Sequence, residues 1–163
     1  MRPQESHYAY EDHPERIGYN ATISAPHMHA YCLEWLEDRL KPGSKVLDVG
    51  SGSGYLCAVF YEMTGSKVVG VEHIPELCDF SVDNLSRSYQ KQLDSREIEI
   101  VCADGRKGYS QFAPYQVIHV GAAAWPIPKA LIDQLDLGGK MVIPVGPEGG
   151  PQQIVMISKD LQG

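Results

Sequence analysis

A glycine-rich segment carries the clearest chemical signal in the sequence. It reads DVGSGSG over residues 48–54 and follows a short apolar run. Three glycines at alternate positions allow a tight turn and let a ligand approach the backbone closely. A helix that begins near Tyr55 would point its free backbone N–H groups at the same ligand. The segment therefore predicts a ligand-binding loop that joins a strand to a helix.

The spacing of this loop argues against two common nucleotide-binding patterns. A phosphate-binding loop needs Gly-Lys followed by Ser or Thr, and the sequence contains no such tripeptide. The dinucleotide pattern G-x-G-x-x-G fails because its last position is Tyr55. Asp48 would place a carboxylate beside the loop, which disfavours a pyrophosphate and favours a cation. S-adenosylmethionine meets these requirements, since it carries an ammonium and a sulfonium group and no phosphate.

Two further acids follow the next apolar runs along the chain. Glu72 closes the second run, 18 residues beyond Gly54, and a carboxylate there can accept hydrogen bonds from both ribose hydroxyls. Asp104 and Gly105 follow the third run, where an adenine edge would lie. Each acid alone could equally be a helix cap or a surface charge. Together with the glycine loop, they predict one binding site at the rim of a sheet.

The hydrophobic pattern predicts the elements that must position these residues. Residues 1–26 are rich in His, Tyr, Pro and Asn, show no periodicity, and are predicted to form an irregular arm. Helices are predicted at residues 27–40, 55–63, 75 to about 90, and 127–134. Strands are predicted at residues 45–49, 67–72, 98–102, 115–120, 140–145 and 153–158.

The alternation of strands and helices predicts an α/β fold. Such an order implies parallel strands joined by right-handed crossovers, and the apolar strand cores fit a sheet covered on both faces. We predict a single domain over residues 1–163, with the arm at 1–26 and a doubly wound, mostly parallel, Rossmann-like core at 27–163. Ligands of such sheets bind beyond the carboxyl ends of the strands.

Composition excludes several other classes of protein. The formal net charge of −7 argues against nucleic acid as a partner, because that binding relies on clustered Lys and Arg. The sequence contains no run of about 18 apolar residues, so it predicts no membrane span. The polar first residues do not resemble a secretory signal, so we expect a cytoplasmic protein. Four scattered cysteines without a C-x-x-C pair predict no metal site.

Five segments resemble the protein-L-isoaspartate (D-aspartate) O-methyltransferase family. They are NATISAPHMHA at 20–30, DVGSGSG at 48–54, ADGR at 103–106, IHVGAAA at 118–124 and IPVGP at 143–147. The glycine loop is shared with many methyltransferases, whereas the first segment and Gly-Ala-Ala-Ala are specific to this family. The resemblance covers nearly all of residues 7–158. It implies the class I S-adenosylmethionine-dependent methyltransferase fold.

The resemblance also implies an activity and a site. Members methylate the free carboxylate of isoaspartyl or D-aspartyl residues in damaged proteins, which begins repair. Ser24 is implied as the active-site residue. The implied cofactor-binding residues are Ala21, Thr22, Ile23, Ser24, His29, Asp48, Gly50, Ser51, Gly52, Glu72, Asp104 and Gly105.

Several side chains keep a plainer interpretation. Ser24 could donate its hydroxyl to the acceptor carboxylate, but it could also cap a helix that begins near Ala25. His29 could border the cofactor or be a packed core histidine. His73 and His119 lie at strand ends, and we interpret both as structural.

The sequence departs from the family at its two ends. Members begin with about thirty more residues and continue into a further strand, so we expect this chain to be a shortened member. Separately, we expect the protein to act as a monomer. Two alternatives stay open. One is a truncated, catalytically impaired homologue that binds S-adenosylmethionine. The other is a methyltransferase with another acceptor, which is disfavoured because no Asn/Asp-Pro-Pro-Tyr segment follows the fourth core strand.

Overall fold

The computed structural model describes residues 11–147 and 149–162. The first ten residues of the predicted arm lie outside the described residues. In chain order the elements are β1 (Glu15–Gly18), β2 (Ala21–Ile23), α1 (Pro26–Leu36), β3 (Val46–Val49), α2 (Tyr55–Thr64), β4 (Val68–Glu72), α3 (Pro75–Asp94), β5 (Ile98–Cys102), β6 (Tyr115–Val120), α4 (Lys129–Gln134), β7 (Leu135–Val145) and β8 (Gln153–Ser158). Within the described residues, no helix is both long and apolar enough to cross a membrane.

Six strands form one sheet in the order β5-β4-β3-β6-β7-β8. The first five are parallel to their neighbours, and β8 is antiparallel to β7. The prediction of a doubly wound, mostly parallel sheet is confirmed. The strand order changes direction between β3 and β6, so the carboxyl ends of these two strands form the switch point, where such sheets bind ligands.

The arm contains a β-hairpin that the sequence did not predict. Strand β1 is antiparallel to β2, with Glu15 opposite Ile23. Tyr19 and Asn20 join them with φ values of 52° and 59°, which suits a two-residue hairpin turn. The prediction of a wholly irregular arm was therefore wrong. Strands of four and three residues are too short for a period of two to be visible.

Helix α1 ends about one turn earlier than predicted, at Leu36 rather than residue 40. The Ser44 hydroxyl donates to the Arg39 carbonyl at 2.7 Å and accepts from the Lys41 N–H at 3.2 Å. These backbone groups are therefore satisfied without a helix. Leu40 is still buried, which explains why its apolar side chain fitted the helical spacing.

Helix α3 is longer than predicted and runs to Asp94, with non-helical backbone angles at Tyr89. Leu93, on the added turn, packs against the core, and this contact supports the extension.

Helix α4 and strand β7 also begin elsewhere than predicted. The helix begins at Lys129 rather than residue 127, because Pro128 takes the extended conformation at its N-cap. Strand β7 begins at Leu135 rather than residue 140, since Leu135 pairs with Tyr115 of β6. The other predicted elements of the core agree to within one residue.

The sheet separates two apolar cores. Val46 packs in a cluster with Leu36 and Phe60, on the face covered by α1, α2 and α3. Its neighbour Leu47 packs in another cluster with Leu131, on the face covered by α4. This alternation follows from the period of two along a strand. It also determines on which face of the sheet each polar side chain of β3 and β6 lies.

Candidate functional site

The glycine loop lies at the switch point between β3 and α2. Gly50, Gly52 and Gly54 all have left-handed backbone angles, with φ of 77°, 53° and 80°, which glycine adopts without the strain of a Cβ atom. The Gly50 and Ser51 N–H groups donate to the Val71 carbonyl at 2.7 and 3.2 Å. The loop is thereby fastened to β4 and turns its remaining backbone toward the rim of the sheet.

Two cavities meet at Gly50. The larger, which we call the rim cavity, has a volume of about 600 Å³ and is lined by Gly50, His73, Asp104, Gly105 and Ala122 among others. The smaller, which we call the arm cavity, has a volume of about 50 Å³. Its lining includes Ser24, His29, Asp48, Gly50, Ser51 and His119. One ligand that passes over Gly50 could occupy both.

Glu72 lines neither of these two cavities. Its side chain is buried at the end of β4, where Oε2 accepts the Gly52 N–H at 3.1 Å. Oε1 accepts the N–H groups of His73 and Ile74 at 2.8 and 3.1 Å. The carboxylate therefore joins the glycine loop to the start of α3.

Asp104 lies at the rim cavity, as the sequence predicts for an acid after β5. Its two oxygens accept hydrogen bonds from Nε and Nη2 of Arg106, both at 2.9 Å. Hydrogen bonds from the Arg106 side chain and backbone lower the pKa of Asp104 to about 2. Gly105 must be a glycine here, because a Cβ atom would lie 2.5 Å from Cγ1 of Val49.

Asp48 is buried and ion-paired rather than free to meet a cation. Its Oδ1 lies 2.8 Å from Nδ1 of His119, and its Oδ2 accepts from the Cys57 thiol at 3.4 Å. Burial alone would lower the pKa of His119, but the hydrogen bonds to Asp48 and Cys32 outweigh it and raise that pKa to about 9. The charge of Asp48 is therefore neutralised within the protein.

Ser24 lines the arm cavity with an exposed side chain. The N-cap of α1 is Ala25, followed by Pro26, with no side-chain hydrogen bond at the cap. The interpretation of Ser24 as the helix cap is therefore wrong, although the helix begins where it was expected. Ser24 lines the same cavity as Gly50, Ser51 and Gly52 of the glycine loop.

The hairpin places the other predicted residues of the arm. Thr22 and Ile23 line the arm cavity beside Ser24. Ala21 lies in a separate crevice along the hairpin, together with Thr22. His29 reaches the arm cavity from α1, and its ring centroid lies 5.3 Å from that of Tyr55.

Two residues that line the arm cavity each have a buried polar atom without a hydrogen-bond partner among the described residues. These atoms are Oγ of Ser51 and Nε2 of His29. Leaving such groups unpaired is costly in a protein interior, so both are candidates to bind a polar ligand. No group of three or more His, Cys, Asp or Glu side chains in the described parts of the chain could hold a metal ion.

Sequence reasoning missed two contributors to the site. Gln134 is buried at the end of α4, where its amide accepts the Tyr109 N–H and donates to the Lys107 carbonyl, each at 2.8 Å. It thus holds the loop that follows Asp104, and nothing in the sequence pattern signals this contact. Ala122 and its neighbours line the rim cavity, and their position directly after β6 could have marked them, by the same rule that marked Asp104.

The strand order and the glycine loop at the switch point define a class I S-adenosylmethionine-dependent methyltransferase fold. The structure is similar to a crystal structure of a protein-L-isoaspartate O-methyltransferase from Plasmodium falciparum in complex with S-adenosyl-L-homocysteine. The TM-score is 0.86 with 36% sequence identity, over 92% of this chain and 73% of that one.

A sequence model of protein-L-isoaspartate (D-aspartate) O-methyltransferase matches residues 2–163, and the chain belongs to that family. It is 54% identical over 158 residues to protein-L-isoaspartate O-methyltransferase 2 of Arabidopsis thaliana, covering 95% of this chain and 50% of the relative. It is 51% identical over 152 residues to the Caenorhabditis elegans enzyme, covering 92% and 68%. The chain thus spans about half the length of the Arabidopsis relative.

Proposed function

We propose that this chain binds S-adenosylmethionine and transfers its methyl group to the free carboxylate of isoaspartyl or D-aspartyl residues in damaged proteins. One observation supports the proposal above all: Ser24 and the glycine loop line the same cavity. The chain also belongs to this family. The complex of the Plasmodium falciparum relative with S-adenosyl-L-homocysteine supports the choice of cofactor.

The residues present fit S-adenosylmethionine. An amino-acid moiety in the arm cavity would meet the unpaired Oγ of Ser51 and Nε2 of His29. An adenosine moiety in the rim cavity would lie among the apolar side chains of Val49, Val71 and Val120, beside Asp104. When bound, S-adenosylmethionine supplies an electrophilic methyl group on a positively charged sulfur.

The acceptor requires little chemical help from the protein. A carboxylate has an ordinary pKa near 4, so it is ionised at pH 7 and already nucleophilic. Neither a general base nor a metal ion is needed to activate it. The protein would accelerate transfer mainly by holding the reacting groups in line, an effect that can reach about 7–11 kcal/mol in well-oriented systems.

Ser24 is the residue we assign to the acceptor. Ser24 is exposed, lies next to the start of α1, and is not the N-cap of that helix. It can therefore donate a hydrogen bond to one carboxylate oxygen and leave the other free to attack. A hydrogen bond to a charged group contributes about 1.5–3 kcal/mol. This is enough for Ser24 to hold the acceptor carboxylate in position.

The proposal is tested by one binding and one transfer measurement. Calorimetry with S-adenosylmethionine should show saturable binding. Labelled methyl should pass to a peptide containing one isoaspartyl residue and not to the same peptide with normal aspartate. Equal labelling of both peptides, or of neither, would refute the assigned acceptor.

A second candidate keeps the binding of the cofactor but not the full activity. It is a homologue that binds S-adenosylmethionine but transfers methyl poorly or not at all. Binding without labelling of the isoaspartyl peptide would favour it. Labelling of RNA in place of the peptide would instead favour a methyltransferase with another acceptor.

We also propose that the protein acts as a monomer in the cytoplasm, without nucleic acid as a partner. The net charge of −7 opposes binding to a phosphate backbone. Light scattering after gel filtration would measure the molar mass, and a value of twice the chain mass would rule out the monomer. Cell fractionation would test the compartment.

A further inference from the structure

A buried ion pair lies directly beneath the arm cavity. Asp48 and His119 come from the neighbouring strands β3 and β6, opposite each other in the sheet. Their side chains are 2.8 Å apart between Oδ1 and Nδ1, and both are largely shielded from solvent. Both residues line the arm cavity together with His29. The proposed methyl transfer assigns no role to this pair.

The charge of His119 acts on His29. Burial lowers the pKa of His29, and the nearby His119 lowers it further by electrostatic repulsion. Asp48 and a hydrogen bond to the Ser24 backbone act in the opposite direction with smaller effects. His29 is therefore held as a neutral imidazole near neutral pH.

Other titratable groups pack around the two histidines. Helix α2 contributes Tyr55 against the His29 ring and the Cys57 thiol against Asp48. Helix α1 contributes Cys32, which adds to the raised pKa of His119. Burial raises the pKa of Cys57 well above its usual range, so this thiol is neutral and leaves the Asp48–His119 pair as the charged groups beside His29.

The tautomer of His29 follows from its contacts. Nε2 is the ring nitrogen without a partner among the described residues, so the hydrogen bond to the Ser24 backbone involves Nδ1. A proton on Nδ1 leaves a lone pair on Nε2, which makes that buried nitrogen a hydrogen-bond acceptor. A ligand that pairs with this nitrogen must present an N–H or O–H donor.

We propose that Asp48 and His119 are positioning residues that keep His29 neutral, with Nε2 ready to accept a hydrogen bond from the ammonium group of an amino-acid ligand in the arm cavity. A protonated His29 would repel that ammonium instead of binding it. The identity of the ligand as S-adenosylmethionine rests on the proposed function, whereas the protonation states of the two histidines do not.

The first test uses the full, unmodified chain without ligand. Nitrogen-15 NMR of the histidine rings distinguishes both protonation and tautomer. At pH 7 we expect His119 to carry protons on both nitrogens and His29 to be neutral with its proton on Nδ1. A neutral His119 or a charged His29 at this pH would overturn the proposal.

The second test removes the positive charge with His119→Asn, whose amide can still donate to Asp48. The titration midpoint of His29 should move to higher pH, because a repelling charge is lost and Asp48 is left to attract. His13→Asn is the matched control, since His13 is exposed on the arm, and it should leave the midpoint unchanged. Should His119→Asn fail to fold, His119→Gln provides the same measurement with Asp48 retained, and an unmoved midpoint in the folded variant would overturn the proposal.

The third test compares two ligands that differ in the amino-acid portion. At pH 6, His119→Asn should weaken S-adenosylhomocysteine binding about tenfold, with recovery at pH 8. It should not change the affinity for 5′-methylthioadenosine, which lacks the ammonium group. Equal weakening of both ligands would mean that the pair only supports the fold. If the unmodified chain binds neither ligand, the proposed function fails, while the NMR titrations still decide the roles of Asp48 and His119.

Discussion

The backbone N–H of Gly52 donates to Oε2 of Glu72 at 3.1 Å, and this hydrogen bond joins the glycine loop to the end of β4. The other oxygen accepts two N–H groups at the start of α3. Because a carboxylate offers about four lone-pair sites, Glu72 can hold the loop and still accept a ribose hydroxyl. Its first role in the ligand-free protein is to shape the loop.

Replacing Glu72 with Gln should weaken both the fold and cofactor binding. One carboxylate oxygen becomes an NH₂ group, which cannot accept a hydrogen bond, so at least one of the bound backbone N–H groups loses its partner. Glu72 is 5% exposed, and an unsatisfied buried donor costs about 1–3 kcal/mol. Urea unfolding should show a loss of this size, and calorimetry should show weaker binding of S-adenosylhomocysteine.

Glu76→Gln is the matched control for this substitution. Glu76 lies in the first turn of α3 and is exposed, so its loss should change the free energy of unfolding by less than about 0.5 kcal/mol. If the two variants behaved alike, the buried hydrogen bonds of Glu72 would have no special importance.

Ser24→Ala should reduce the rate of methyl transfer by about tenfold to a hundredfold, which corresponds to one lost hydrogen bond to a charged acceptor. The free energy of unfolding should stay within about 0.5 kcal/mol, because Ser24 is exposed and does not cap α1. A labelled-methyl assay and urea unfolding on the same preparation give both values.

Ser86→Ala provides the control, since the Ser86 hydroxyl bonds within α3 to the Asp83 carbonyl. It should retain full activity. A Ser24→Ala variant with full activity would remove Ser24 from the mechanism, and one that lost stability would restore a capping role.

The core strands could be predicted from sequence because each is a short apolar run bounded by turn residues. The bounds of β5, β6 and β8 agree with those predicted. The hairpin of the arm could not be predicted, since its pairing of Glu15 with Ile23 depends on a turn through Tyr19 and Asn20. Asn is common in left-handed conformations, but a bulky residue such as Tyr is not.

The candidate site was predictable at the level of position but not of partners. The rule that ligands bind at strand ends located Asp48, Glu72 and Asp104 correctly at one edge of the sheet. It could not show that Asp48 pairs with His119, because the two residues are 71 apart in sequence and face each other only through the register of β3 with β6. The contacts of the buried Gln134 could not be predicted either, because they join it to loop residues 25 and 27 positions away in the sequence.

Gln134→Leu should loosen the loop that borders the rim cavity. Gln134 is buried, and its loss would leave the Tyr109 N–H and the Lys107 carbonyl without their side-chain partner. We expect a loss of about 1–3 kcal/mol in the free energy of unfolding and faster amide exchange from residue 104 to residue 109. Hydrogen exchange followed by mass spectrometry would measure the local effect.

Two further variants isolate the hydrogen bonds of Gln134. Gln134→Glu can still accept from Tyr109 but, when ionised, cannot donate to Lys107, so its effect should be at least as large as that of losing one bond. Asp133→Asn, at an exposed neighbour in α4, should change exchange in the loop very little. If amide exchange in the loop were the same in all three variants, Gln134 would not hold the loop in place.

The Asp48–His119 pair should make the stability of the protein decrease at alkaline pH. The folded-state pKa of His119 is about 9, above the ordinary value of about 6.5 in an unfolded chain. A raised pKa stabilises the fold fully below pH 6.5, and this contribution is lost as the pH rises through 9. The free energy of unfolding from urea titrations should therefore fall between pH 6.5 and pH 9, by an amount on the order of 3 kcal/mol. Asp48→Asn removes the charged partner of His119, so this variant should be less stable at pH 6.5 and should show no comparable decrease toward pH 9. A decrease of the same size in both proteins would assign the alkaline instability to other groups.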